Sequence, residues 1–283
     1  FATLLPDMVL SPSSHLHFIA VLMAALLMGT VEGFGQDWPQ ELLRKPEASA
    51  VRIPEQSIVV DGDLSDAVWQ TVRPETELHE FKPVPFAEPK QRTEVRFAFD
   101  DRALYIGARM WDSAPDSILH QLIQRDGGGN TDVFGIWFNC FDDGVNGVRF
   151  SVTPDGVQSD ELLTTDGSDG SWNAVWQSEC RIDEDGWTAE FALPWSVFRF
   201  ADKGDAEQQW GMNFYRYVRR YRSDYVWRAM DPNQEGLMNQ GGLLTGIRGI
   251  TPPPRFSLYP YASTYVNAED GQTDVAVNGG LDL

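Results

Sequence analysis

Acidic side chains dominate the chemistry open to this chain: 42 Asp and Glu stand against 22 Lys and Arg, with four His and two Cys. Asp61, Asp63, Ser65 and Asp66 place hard oxygens at close spacing. Two roles are open to them: a calcium site built on Asp61, Asp63 and Asp66, or capping of a small helix that ends near Trp69, with Asp63 or Ser65 as the cap. The spacing is not that of an EF-hand loop, which needs a later Glu. A glycosidase would need two carboxylates about 5–10 Å apart, but nothing in their spacing singles out Glu190 or Asp160 among so many acids. There is no Gly-x-Ser-x-Gly elbow, no His-Glu-x-x-His and no phosphate loop. All four His lie at or before residue 120, which leaves His79 and His120 beyond the leader. A non-catalytic protein is expected.

The aromatic and basic residues offer recognition instead. Trp172 and Trp176 follow a Gly/Asp/Ser-rich loop, and Trp111 and Trp227 sit beside polar turns; Trp69, Trp187 and Trp195 read as core. The cluster Arg216-Tyr-Val-Arg-Arg-Tyr-Arg222 has two readings. It is either an electropositive face with stacking partners for an anionic sugar, or a set of cations paired internally with Asp and Glu. Cys140 and Cys180 lie on strand patterns rather than in a Cys-x-x-Cys spacing, so redox catalysis and zinc are unsupported. In an oxidising compartment they pair with one another or stay as separate buried thiols. A net charge of −20 repels nucleic acid and anionic lipid headgroups, so nucleic-acid partners are excluded.

The elements that must position these residues read as strands. Val95, Phe97 and Phe99 alternate with polar partners, Asp100-Asp101-Arg102 turns, and Leu104 and Ile106 resume the alternation: a hairpin. Further strand candidates are 57–60, 132–141, 147–153, 174–182, 186–193, 209–220 and 224–229, with short helical pieces at 63–70, 115–123 and 195–198. The expected fold is all-β, an antiparallel two-sheet, jelly-roll-like β-sandwich over 56–250. A polar lead-in at 36–55 precedes it. Residues 1–35 read as a signal peptide, with an apolar block at 18–31 too short for a span of about 20 residues and a small-x-small cleavage site at Gly33-Phe34-Gly35. Its removal takes out Asp7 and Glu32 and leaves a charge of −18. Residues 251–283 read as a Pro linker followed by the first strands of an outer-membrane β-barrel, cut off in mid-pattern, with Tyr at girdle positions. The chain is thus expected to be exported, with the sandwich in the periplasm.

Several motifs add a resemblance. Ile58-Val-Val-Asp-Gly-Asp-Leu-Ser-Asp-Ala-Val-Trp69 and the hairpin at 93–107 resemble the opening of a family 9 carbohydrate-binding module. Thr131-Asp-Val-Phe134, Phe150-Ser-Val-Thr-Pro-Asp-Gly-Val157, Gly186-Trp-Thr-Ala-Glu-Phe-Ala-Leu-Pro-Trp195 and Trp210-Gly-Met-Asn-Phe214 continue it. The fuller string is similar to a little-characterised group of bacterial outer-membrane proteins in which such a module precedes a barrel. The resemblance implies a saccharide partner held against aromatic faces, and structural calcium. It also implies two sandwiching Trp, but Gly127-Gly-Gly-Asn130 and Asn233-Gln-Glu-Gly236 occupy those places. The saccharide is therefore expected in a cleft near Arg125, Asp126, Trp172 and Trp176, with Trp111 and Trp227 as further aromatics. The alternative is a structural plug or adaptor that binds no sugar.

Overall fold

The computed structural model describes residues 40–165, 167–254, 259–269 and 272–282. The signal-peptide reading at 1–35, including the apolar block at 18–31, lies outside the described residues. In chain order the strands are β1 (Glu47–Ser49), β2 (Val51–Arg52), β3 (His79–Lys82), β4 (Thr93–Phe99), β5 (Ala103–Trp111), β6 (Val133–Asn139), β7 (Gly147–Val152) and β8 (Gln158–Thr164). They continue with β9 (Gly167–Asp169), β10 (Gln177–Asp183), β11 (Gly186–Pro194), β12 (Trp210–Val218), β13 (Ser223–Val226), β14 (Gly242–Thr245), β15 (Tyr259–Glu269) and β16 (Gln272–Asp282). One helix, α1 (Ala67–Thr71), and short 3-10 turns at Pro115–Ser117, Trp195–Val197 and Met238–Gln240 complete the described elements.

A nine-stranded sheet runs β1-β14-β12-β6-β7-β8-β9, with β13 added to β12 and β3 to β13. It faces a five-stranded sheet ordered β10-β11-β5-β4-β2. Pairing is antiparallel except at two edges, where β1 joins β14 and β2 joins β4 in parallel. The segment read as a polar lead-in therefore supplies an edge strand to each sheet. The run at 57–60 is extended but joins no ladder, and the helical reading of 115–123 shrinks to the turn Pro115–Ser117.

Period-2 alternation builds the core. Phe97 and Phe99 of β4, Leu104 and Ile106 of β5, and Phe191 and Leu193 of β11 face Phe134, Phe138, Phe150 and Phe214 of the larger sheet. Phe134 meets Phe191 edge-on at 5.8 Å, and Phe138 meets Trp210 at 6.2 Å. Each buried aromatic of this kind contributes about 1.5–3 kcal/mol of transfer free energy. A basic side chain shares this space. Arg216 of β12 is fully buried and donates through Nη1 to the carbonyls of Trp111 (2.9 Å) and Arg92 (3.1 Å) on the opposite sheet. Its Nη2 lies 3.6 Å from the buried Asp112 carboxylate, and burial pushes its pKa down to about 10, so it stays charged at neutral pH.

The opening motif is fastened onto the outer face of the five-stranded sheet by Glu190. This buried β11 carboxylate accepts the N–H groups of Asp61 (3.0 Å) and Gly62 (2.8 Å) through one oxygen and Trp69 Nε1 (2.7 Å) through the other. Gly62 has φ +79°, and a Cβ there would meet the backbone of Cys180 at 3.1 Å, so this turn requires glycine. Trp69 lies over Gly107, where a Cβ would meet the indole at 3.0 Å, and it packs with Ile53, Ile58 and Ala98. Replacing Glu190 with Ala leaves two buried donors and one part-buried donor without an acceptor. The free energy of unfolding is expected to fall by about 3 kcal/mol, read from the urea midpoint at constant m-value. A loss under about 1 kcal/mol would mean that Trp69 packing alone holds the motif.

Candidate functional site

The outer face of the nine-stranded sheet follows from the same alternation. With Phe134, Ile136 and Phe138 turned inward, β6 turns Gly135 and Trp137 outward; β7 presents Arg149 and Ser151, β8 presents Ser159 and Glu161, and β12 presents Tyr215 and Tyr217. Tyr215 pairs in register with Gly135, and a Cβ at Gly135 would meet its ring at 2.4 Å. Glycine therefore lets the tyrosine lie across the neighbouring strand.

Arg149, Ser151, Ser159, Glu161, Tyr215 and Tyr217 line a solvent-open cleft of about 490 Å³, together with Gly127, Gly128 and Gly129. Arg149 and Glu161 oppose each other across β7 and β8 and form an ion pair. Tyr217 accepts a hydrogen bond from Arg219 Nη1 at 2.8 Å. Asp224 of β13 faces Tyr217 on one side and Lys82 on the other. Two tyrosine rings, a fixed charge pair and the hydroxyls of Ser151 and Ser159 suit a ligand with apolar ring faces and many hydroxyls.

The residues expected to form the site lie in several places. Arg125 pairs with the fully buried Asp160 and with Gln158, and Asp126 accepts the Asp160 N–H at 3.0 Å. Asp160 in turn accepts the N–H of Ala174 (2.6 Å) and Trp176 Nε1 (3.2 Å). Arg125 and Asp126 thus anchor their loop to β8 at the rim of the cleft. Trp176 belongs to the core, 5.1 Å from Phe191 and 5.3 Å from Phe150. Trp172 is half-buried and walls a separate apolar cavity of about 390 Å³ with Phe138, Phe141, Leu162 and Arg199. Trp111 is half-buried on the opposite sheet, with the Arg109 guanidinium 4.5 Å above its ring and its Nε1 3.2 Å from Glu94. Trp227 is buried and stacked on Phe214 at 5.4 Å. Arg125, Asp126 and Trp176 thus meet around Asp160, with Trp176 packed against core phenylalanines and Trp172 turned to the separate cavity.

The acidic motif does not fit calcium. Asp61 accepts the Asp63 N–H, Asp63 accepts the Ser65 N–H and pairs with Arg181 at 3.0 Å, and Asp66 accepts the Val59 N–H at 2.9 Å. The three carboxylates turn to separate partners, and no three metal-ligating side chains converge among the described residues. Nor does the capping alternative hold: Asp66 precedes α1, and no side chain caps that helix. Cys140 and Cys180 are not joined in a disulfide. Within the cluster at 216–222, Arg220 grips Asp112 through two bonds of 2.7 and 2.8 Å, and Arg219 donates to Asn130 at 2.7 Å.

Sequence reasoning missed Arg149, Glu161, Tyr215, Tyr217 and Asp224. The signal was the alternation Tyr215-Arg216-Tyr217, read with the wrong residue outward. Burial raises the Asp224 carboxyl above its ordinary 3.8, with Lys82 opposing. Its folded pKa therefore exceeds its unfolded one. The stability it contributes is complete below about pH 3.8 and is lost as the pH rises through the raised value. Relative to Asp224→Asn, the native protein should lose stability as the pH rises above about 4 in denaturant titrations. Parallel pH profiles for the two proteins would show that Asp224 titrates ordinarily.

No family model matches the chain, and no curated protein matches it. Solved structures do. A family 9 carbohydrate-binding module from Caldicellulosiruptor kristjanssonii, solved with cellotriose, is 15% identical with a TM-score of 0.50, covering 70% of this chain and 92% of that one. Its structure with glucose matches at 13% identity and a TM-score of 0.50, over 70% and 94%. A crystal structure described as a "putative carbohydrate-binding protein" from Bacteroides uniformis is 10% identical with a TM-score of 0.54, over 71% and 99%. At such identities the likeness speaks for the fold alone: this chain carries the β-sandwich of family 9 carbohydrate-binding modules.

Proposed function

We propose that this chain is a non-catalytic module that binds a saccharide on the outer face of its nine-stranded sheet. The observation that carries the reading is the open cleft in which Tyr215 and Tyr217 lie beside the Arg149–Glu161 pair. Pyranose rings offer an apolar face to such aromatics, while fixed donors and acceptors satisfy the hydroxyls. Cellotriose and glucose in the Caldicellulosiruptor modules support the same class of ligand. Glu161 is committed to Arg149, which suits an acceptor of hydroxyl hydrogen bonds better than an acid or a nucleophile.

Glycan-array screening followed by calorimetry tests this. Arg149→Ala should weaken binding by about 2 kcal/mol, the scale of a hydrogen bond to a charged group. Tyr217→Ala should weaken it by about 1 kcal/mol through lost ring contact. Absence of binding to every glycan would favour a structural adaptor, and hydrolysis of a bound oligosaccharide would overturn the non-catalytic reading.

We propose further that the chain is exported and that 259–282 begins a membrane β-barrel, with 251–254 as a stiff spacer and the sandwich in the periplasm. β15 and β16 each have 11 residues, against about 9–11 for a bilayer-crossing strand. They pair antiparallel along their full length. Tyr259, Tyr261 and Tyr265 share one face, and Val266, Val275, Val277 and Leu281 share the other, all exposed. Protease added to intact cells is expected to spare the sandwich and to cleave it after outer-membrane permeabilisation. Cleavage in intact cells would place the sandwich on the outer surface.

A further inference from the structure

We infer that the binding face takes an internal stretch of a neutral, extended glycan chain laid along β7 and β8, rather than a single terminal sugar. The inference rests on the saccharide reading above and adds the form of the ligand. A second open cleft, of about 550 Å³, adjoins the first, and Arg149 lines both. β8 and the residue after it run under the two clefts in sequence: Ser159 and Glu161 line the first, and Leu163 and Thr165 the second. At about 3.3 Å per residue, the path from Ser159 to Thr165 is about 20 Å, longer than one sugar ring.

The two halves offer different chemistry on one track. The first presents Tyr215 and Tyr217. The second has a hydrophobic floor, where Leu163 packs with Trp137 and Met238, and its rim carries the exposed Val145. Its far wall is made by two touching loops, since a Cβ on Gly144 would fall 1.9 Å from Asn239 Oδ1. Glycines leave space in both clefts. A Cβ on Gly128 in the first, or on Gly167 in the second, would meet nothing within 4 Å. No side chain at these positions stops a polymer from running through.

Charge selects among polymers. Among the residues lining the two clefts, Arg149 is the single basic one, and Glu161 neutralises it, while Asp224 and Glu235 add acceptors. A polyanionic chain would meet excess negative charge along this track, whereas a neutral polyol would meet acceptors for its hydroxyls.

The test is calorimetry of the full chain against mono-, tri- and hexasaccharides of glucan, xylan and mannan backbones, with a polygalacturonate hexasaccharide as the anionic control. Affinity for one neutral series is expected to rise about tenfold or more from mono- to hexasaccharide. Borohydride reduction of the hexasaccharide end should leave its affinity within about twofold. Val145→Asp, at an exposed rim position, should weaken the hexasaccharide about fivefold while leaving the monosaccharide and the thermal midpoint unchanged. Affinity that saturates at the monosaccharide, or that is lost on end reduction, would overturn the inference and leave saccharide binding intact. Preference for polygalacturonate would overturn the neutral-chain assignment. Absence of binding to every member would overturn the saccharide reading together with this one.

Discussion

Arg216 lies in the apolar space between the two sheets, where a guanidinium persists only if its charge and N–H groups meet fixed partners. Its Nη1 meets the carbonyls of Arg92 and Trp111 on the opposite sheet, and its charge is balanced by the carboxylates of Asp132, just ahead of β6, and Asp112, just beyond β5. Such a buried ion contributes little net stability, but it is intolerant of displacement. A one-residue slip of β12 would expel the arginine and drive Tyr215 and Tyr217 into the core. The register of β12, and with it the identity of the ligand-facing side chains, therefore depends on where one cation finds its acceptors.

Much of the fold was legible because alternation and turn chemistry are local. The hairpin at 93–111, the strand at 186–193 and the Asp-Gly turn of the opening motif appear where their patterns place them. The opening motif also shows why its residues go together: the glycine permits the turn, and Glu190, 128 residues later, receives the N–H groups that the turn exposes. β8 was missed because Asp160 faces inward at a position where alternation predicts an apolar residue, and Arg125, Ala174 and Trp176 together satisfy its carboxylate. β1 and β2 were missed because two or three residues leave no periodicity to read.

The candidate site was less legible. Tryptophans drew the sequence argument, yet their size makes them core residues first, and Trp176 and Trp227 pack against phenylalanines. The tyrosines that do reach the cleft owe their position to a glycine on a neighbouring strand and an arginine pointing the other way. Neither relation is visible without the pairing of β12 with β6. The arginine-rich run likewise reads as a basic face in one dimension, but it dissolves into pairs with Asp112 and Asn130 in three.

The segment from Glu47 to Arg52 changes sheets within six residues, giving β1 to one and β2 to the other around the buried Ala50. A sandwich exposes rows of unused backbone donors and acceptors at its margins, and such margins invite pairing with foreign strands. Here one short stretch covers β14 and β4 together, so one margin of each sheet is covered by the same few residues. Unfastening that stretch would bare an edge on each sheet at once. The opening residues of the sandwich therefore act as a shared guard against aggregation, and chain trimming has a natural limit just ahead of Glu47.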